Sequence, residues 1–321
     1  MTLRSSCFAL LVALACGAAP TANAAWPDDR PIELVVGFAP GGGTDTIARA
    51  LARFMEGRLG PQARVVVVNK PGAGGELAAA HVAGAKPDGY TIGTINVPGF
   101  TFIPMVKKTA YQPAQLRMIA RLVDDPALIV ARSDSQVPAT LPEIIKALKE
   151  KPRSLTFGHS GDGTTGHLAS LELDRQAGTQ STTVPFKGAG EAKLQLFGGH
   201  IDYLIITTGE AIETQQPNSR MKAVTLFSEK RPEGGPPTAK EAGYDVRFSS
   251  ERGIGAPRAL SDDIAQRLEK AIGDTLKDPA FIAAAKADAP VLAFMPGKAW
   301  QEHLDRSVEV LKPLVPLMGP R

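Results

Sequence analysis

Ile32–Leu59, IELVVGFAPGGGTDTIARALARFMEGRL, decides how the rest of the chain is read. Ile32–Phe38 is a compact apolar run that a glycine-rich turn ends. Thr44–Leu59 then places Ile47, Leu51, Phe54, Met55 and Leu59 at the spacing of one face of an amphipathic helix. Val65–Asn69 is a β-branched run of the kind buried in a parallel sheet. A turn at Pro71–Gly75, a small-residue helix over Glu76–Ala85 and a strand over Tyr90–Ile95 follow. This strand–helix–strand–helix–strand opening predicts an α/β fold, with helices wrapped around a parallel sheet.

The pattern then changes. Met118–Val123 and Ala127–Ala131 are apolar runs, and Asp124-Asp125-Pro126 between them reads as a turn. A second α/β series begins there. Helices are expected over Leu141–Lys151, His167–Ala177 and Ala189–Phe197, and strands over Leu155–Phe157, Thr182–Phe186, Ile201–Ile206 and Met221–Phe227. A strand over Val246–Gly253 follows the Pro-rich stretch Arg231–Thr238, and helices close the chain at Ser261–Leu276, Pro279–Ala287 and Lys298–Lys312. No long flexible linker separates the two series. The expectation is two lobes sharing crossing strands near Asp125 and near Val246. Residues 25–125 would form the first lobe, 126–245 the second, and 246–321 the return to the first. Such an architecture leaves an interlobe cleft, a favoured place for a ligand.

The chain of 321 residues has 36 Lys+Arg and 33 Asp+Glu, a net charge of +3 without a basic stripe, so nucleic acid is not an expected partner. Its 2 cysteines are Cys7 and Cys16. Arg4, the apolar stretch Cys7–Cys16 and the small-residue end Ala22-Asn23-Ala24 follow the order of a secretory signal peptide, so residues 1–24 are expected to be removed. The apolar run is too short to span a bilayer comfortably. The mature chain would then carry no cysteine, which excludes disulfide staples, Cys-ligated zinc and a thiol nucleophile. A short buried helix and a lipoprotein acylated at Cys16 are alternatives, although Ala13-Leu14-Ala15 fits a lipobox only loosely.

Two glycine turns carry the chemistry. Gly37–Asp45, GFAPGGGTD, joins a strand end to a helix start, where backbone N–H groups and the helix dipole suit an anion. It lacks the Gly-Lys-Ser/Thr of a P-loop. The second strand ends in Asn69-Lys70, not in an acidic residue, so no nucleotide cofactor is expected. The same pattern also fits a tight turn capped by Thr44 or Asp45. Gly158–His167, GHSGDGTTGH, repeats the arrangement in the other lobe. Two such loops closing on one anion from both sides would satisfy a carboxylate with charge-assisted bonds, and Lys187 would add a point charge unless it is a solvated surface lysine. His159 and His167 have no acidic or cysteine partner at a metal-binding spacing, so no metal is expected. Ser160 is not in a G-x-S-x-G elbow. His81, His200 and His303 are isolated.

With these residues in place, the sequence resembles the substrate-binding receptors of tripartite tricarboxylate transporters, the Bug family of periplasmic receptors. The matching stretches are Trp26-Pro27, Pro31-Ile32, Val36–Asp45, Asn69–Gly75 (NKPGAGG), Lys86–Thr91 (KPDGYT), Phe157–Leu173, Val184–Gly188 (VPFKG), Leu196–Asp202 (LFGGHID), Thr238–Gly243 (TAKEAG) and Gly253–Pro257 (GIGAP). The resemblance implies a two-lobed, type II-like periplasmic-binding-protein fold of the Venus-flytrap kind. It would be a monomer that captures a small organic carboxylate in the periplasm and delivers it to a multi-spanning membrane permease. A receptor for a membrane signalling partner is the alternative. A periplasmic hydrolase or isomerase using Ser160 or His159 is a further one.

By this resemblance the ligand is held by Phe38, Pro40, Gly41, Gly42, Thr44 and Asp45 in the first loop and by Ser160, Gly161, Gly163, Thr164 and Thr165 in the second. Lys187 and Gly188 lie nearby, and Asn96 and Thr207 read the far end. Asn96–Phe100 and Thr207–Glu210 depart from the family's usual residues, so the ligand's identity is not carried over. Val97, Phe100 and Phe102 would suit an apolar tail or, alternatively, belong to the core.

Overall fold

A computed structural model describes residues 26–41 and 43–318, with the backbone alone at residue 73. The expected leader with Cys7 and Cys16, and Gly42, lie outside the described residues. The first lobe opens with β1 (Ile32–Val36), α1 (Gly43–Leu59), β2 (Val65–Asn69), α2 (Glu76–Ala83), β3 (Thr91–Val97) and α3 (Gly99–Val106). The chain then crosses on β4 (Leu116–Arg132). The second lobe holds α4 (Leu141–Glu150), β5 (Thr156–His159), α5 (Thr165–Ala177), β6 (Thr182–Pro185), α6 (Ala189–Phe197), β7 (Tyr203–Thr207) and β8 (Met221–Leu226). Strand β9 (Ser249–Pro257) returns to the first lobe, followed by α7 (Asp262–Leu276), α8 (Pro279–Ala284), β10 (Leu292–Pro296) and α9 (Gly297–Leu311).

Local chemistry accounts for much of this. In α4, Leu141, Ile144, Ile145 and Leu148 are buried along one face, and Thr140 and Glu143 form a reciprocal capping box at its start. In α1, Ile47, Ala48, Leu51 and Met55 are buried against Ile32, Leu34, Ile92 and the α7 residues Leu268 and Ile272. The second core gathers Ile129, Phe157, Leu168 and Ile205 under α4 and α5. Leu311 and Leu314, in the segment expected to return to the first lobe, also pack into this second core.

The sheet runs β2-β1-β3-β9-β4-β7-β5-β6, with β8 and β10 also paired to β4. Strands β1, β2 and β3 are parallel, as are β5, β6 and β7. β2 differs from expectation: it is the edge strand, with Val66 48% exposed and only Val65 buried.

The expected turn at Asp124-Asp125-Pro126 is also corrected. These residues continue one strand of 17 residues. Proline is rare inside a central strand because it has no N–H to donate. Here Pro126 pairs with Ser249 at the end of the β9 ladder, immediately before Ala127 begins the ladder with β7. The missing N–H thus falls where the strand changes partners. Helix α3 and strand β10 were not expected. Each is short and holds or ends in a proline, so the local pattern is weak; burial of Phe100 and Phe102 fixes α3, and pairing with β4 fixes β10.

Behind the crossing, Glu251 accepts from Arg121 Nη1 (3.0 Å) and Trp300 Nε1 (2.8 Å) and lies 2.8 Å from His303 Nε2. His303 is therefore not isolated. Burial pushes the Glu251 carboxyl up, but His303 and Arg121 outweigh it and hold the carboxyl below its ordinary value. The bond to Glu251 raises His303 above its ordinary 6.5. The histidine's contribution is complete below 6.5 and is lost as pH rises through its raised value, whereas that of Glu251 is lost as pH falls below the carboxylate range. Urea midpoints measured from roughly pH 6 to 9 should fall more for the wild type than for His303→Gln.

Trp300 packs so closely on β9 that a Cβ on Gly253 would stand 2.4 Å from its ring and 2.4 Å from the Ala120 carbonyl. Gly253→Ala should cost about 1–3 kcal/mol by overpacking, read as a lower urea midpoint with unchanged slope.

Candidate functional site

The strand register brings the two lobes' binding edges together. β3 ends at Val97, opposite Glu251, which pairs with Asp124 of β4. β7 ends at Thr207, opposite Ala127 of the same strand. Both parallel sets therefore stop with their carboxyl ends at the middle of β4. Ligands of α/β sheets bind outside such carboxyl ends.

In the first lobe, Asp45 shapes the loop. Its Oδ2 accepts from Gly41 N (2.8 Å) and Arg49 Nε (2.9 Å), and its Oδ1 accepts from Asn69 Nδ2 (2.8 Å). Asn69 Nδ2 also reaches the Phe38 carbonyl at 3.0 Å. Burial works against the Asp45 charge, yet the bonds from Arg49, Gly41 and Asn69 hold its carboxyl below the usual range. Thr44 Oγ1 accepts from Asn96 Nδ2 at 3.1 Å. Thr44 and Asp45, expected to face a ligand, are thus bonded within their own lobe. Phe38 and Asn96 line a small cavity of about 20 Å³, together with Gly75, Thr94 and Phe100. Asn96 Oδ1 and Thr94 Oγ1 are buried there without a protein partner. Pro40 and Gly41 are exposed at the loop tip, and Gly41 has φ +82°.

The second loop is built on two histidines. The rings of His159 and His167 stack at 4.3 Å, 5° from parallel. His159 Nδ1 lies 2.9 Å from the Gly161 carbonyl, and Gly163 N donates to His167 Nδ1 at 3.2 Å. Sequence reasoning found no acidic neighbour for this pair, but the fold supplies Asp162, whose carboxylate lies 3.6 Å from His167. The three side chains offer ligand atoms within 4.8 Å of one another. The stacked rings, however, direct their in-plane lone pairs along parallel planes, which is a poor arrangement for two ligands converging on one ion. Burial, with the charge of His167 next, lowers His159 to about 4, so it is neutral near pH 7.

Thr164 Oγ1 donates to the Gly161 carbonyl at 2.6 Å and closes the turn. Gly161 and Gly163 adopt φ +130° and +72°. Among the described residues, the hydroxyls of Ser160 and Thr165 have no protein partner. Phe186 N donates to the His159 carbonyl at 3.0 Å, which sets Lys187 and Gly188 beside this loop. Lys187 is exposed, and among the described residues its ammonium has no ion pair.

A cavity of about 210 Å³ lies between the lobes, lined by Gly74, Phe102, Ile103 and Lys107 on one side and Asp162 and Gly163 on the other. Phe100 is buried and stacked on Tyr111, and Val97 shares its cluster, so both belong to the core. Phe102 is buried and also edges the cavity.

Sequence reasoning missed the charged group at the crossing. Arg252 binds Asp288 through Nη2 (2.7 Å) and Nη1 (3.2 Å), and Asp125 through Nη2 (3.3 Å). Thr207, expected to read the ligand, donates to Glu210 through N (3.1 Å) and Oγ1 (3.3 Å). The only signal for the group was the Asp125-Pro126 pair; nothing local marks Arg252 or Asp288.

Two lobes joined by crossing strands, each with a glycine-rich helix start after one of its parallel strands, have the architecture of a periplasmic solute-binding protein. Residues 47–295 match the family described as "Tripartite tricarboxylate transporter family receptor", and the chain belongs to it. A relative from Agrobacterium vitis, "UPF0065 protein in the TAR-I ttuE-ttuC' intergenic region", is 34% identical over 78% of this chain and 73% of its own length. The structure of the periplasmic binding protein BugD is 30% identical with a TM-score of 0.75, covering 91% of this chain and 98% of its own. "R. palustris Rpa4515 with adipate" is 25% identical with a TM-score of 0.78, covering 92% and 98%. Among the described residues no helix is long and apolar enough to cross a membrane.

Asp45→Ala removes a carboxylate that three donors share. It should lower stability by about 1–3 kcal/mol in urea unfolding and release the Gly41 loop, seen as faster amide exchange there.

Proposed function

We propose that this receptor captures a small organic carboxylate between the Phe38–Asp45 and Ser160–Thr165 loops. It would then deliver the ligand to a multi-spanning permease of the tripartite tricarboxylate type. The observation that carries the reading is the sheet register: the parallel strand sets that lead into the two glycine-rich helix starts, one set from each lobe, both end at the middle of β4. The hydroxyls of Ser160 and Thr165 and the ammonium of Lys187, which have no protein partner among the described residues, are suited to carboxylate oxygens. A relative whose structure holds adipate is consistent with this chemistry.

Ligand binds the closed arrangement better than the open one, and so shifts the population towards it. The closed, loaded form is what the permease recognises. The chain works as a monomer in the periplasm after its leader, residues 1–24, is removed. On this reading it binds its ligand without turnover.

Mass spectrometry of ligand released from purified protein should identify a small acid. A thermal-shift screen of carboxylates on stripped protein should find one that raises the midpoint; a ligand at 100 times its Kd adds about 2.7 kcal/mol. Gly161→Val places a branched side chain at φ +130°, and should weaken that ligand at least tenfold by calorimetry. An unshifted midpoint for every acid, or an unchanged Kd in Gly161→Val, would defeat the reading.

A further inference from the structure

Helix α3 is anchored in both lobes. Its two buried phenylalanines are two residues apart, which places them about 200° apart around the helix. Phe100 packs in the first lobe's cluster with Val97, Leu116 and Trp300. It also stacks on Tyr111, whose hydroxyl donates to the Phe100 carbonyl at 2.8 Å. Phe102 is fully buried in the other cluster, with Phe157 and Leu168 of the second lobe and Leu314.

Between these anchors, Ile103 meets glycines of both lobes. A Cβ on Gly163, in the second lobe's loop, would stand 3.4 Å from Ile103 Cγ1 and 3.7 Å from Phe102 Cδ1. A Cβ on Gly74, in the turn before α2, would stand 3.5 Å from Ile103 Cδ1. A Cβ on Gly99 would stand 3.8 Å from the Gly163 carbonyl oxygen. The start of α3 therefore lies directly against the loop of the other lobe. Lys107, just past the end of α3, and Asp162 line the adjoining cavity from opposite sides.

Gly74 lies beyond the carboxyl end of β2 and Gly163 beyond that of β5. The contact thus joins the lobes on the face where their strand ends meet. Parting the lobes there pulls α3 two ways, because one anchor belongs to each core. The deep anchors resist, and the half-buried Ile103 is the part that separates from Gly163. All these contacts are between protein groups, so they act before a ligand arrives.

We infer that α3 is an interlobe clamp: Ile103 seated against Gly163 keeps most of the receptor closed before ligand binds. The inference deepens the two-arrangement part of the function proposed above. Capture then starts from a small open fraction, and loosening the clamp enlarges it.

Pulsed dipolar electron spin resonance on stripped mature protein tests this. Both cysteines lie in the expected leader, so labels go only where cysteine is introduced. Leu77→Cys and Leu194→Cys suit, being 53% and 68% exposed on α2 and α6, helices that start beyond strand carboxyl ends in opposite lobes. The otherwise unmodified protein should give chiefly one short distance. Ile103→Ala should raise the population of a longer distance at least fivefold. Ile103→Asp, which sets a second carboxylate near Asp162, should make the longer distance predominant. Leu148→Ala removes a buried side chain under α4, away from this contact, and should keep the short distance. A chiefly long distance without the Ile103 changes, an unchanged distribution in both Ile103 variants, or an equal shift in Leu148→Ala overturns the clamp. No acid is added, so these outcomes are independent of whether the carboxylate screen succeeds.

Discussion

Arg252 sits where β4 and β9 pass between the lobes, bonded to Asp125 on one strand and to Asp288 beyond the other. Much of the site depends on that contact. Asp125 holds Thr208 and Gly209 of the second lobe, while Arg252 lies against the start of α1 in the first. Three chain segments distant in sequence are therefore fixed at one point. Buried ion pairs add little net stability over a packed apolar core, but breaking one leaves an uncompensated charge that costs about 3–5 kcal/mol. The group is best understood as specifying geometry: it fixes where the two sets of strand ends meet.

The two glycine-rich loops follow from a second constraint. A loop that offers free amides to an anion must be held open by something other than the anion. Asp45 does this in the first lobe, with Asn69 and Arg49 bracing it. The stacked histidines and Thr164 do it in the second. Several side chains that look like ligand contacts in the sequence also bond within their own loop or lobe. These bonds fix the shape of the loops, and for the carboxylate capture proposed above such pre-organisation would strengthen binding by lowering its ordering cost.

The sequence was most legible where one periodicity ran long enough to dominate. The faces of α1 and α4, the parallel runs of β1 and β3 and the two glycine loops were read closely. It was least legible at Asp124-Asp125-Pro126. Two acids and a proline form a turn by local rules, and only the pairing of Asp125 with Arg252 and the change of partner at Pro126 make a strand of them. Helix α3, with Pro104 inside it, is held by burying Phe100 and Phe102 and not by propensity.

By itself, then, the sequence determined the α/β alternation, the two glycine-rich helix starts and the family, because hydrophobic period and backbone permissiveness are written in neighbouring residues. Only the tertiary structure decided which side chains shape the loops. It also placed Asp125, Glu210, Arg252 and Asp288 together. Those residues are far apart along the chain and carry no shared local pattern. Charge neutralisation in a buried crossing depends on distance in space, which a linear reading does not contain.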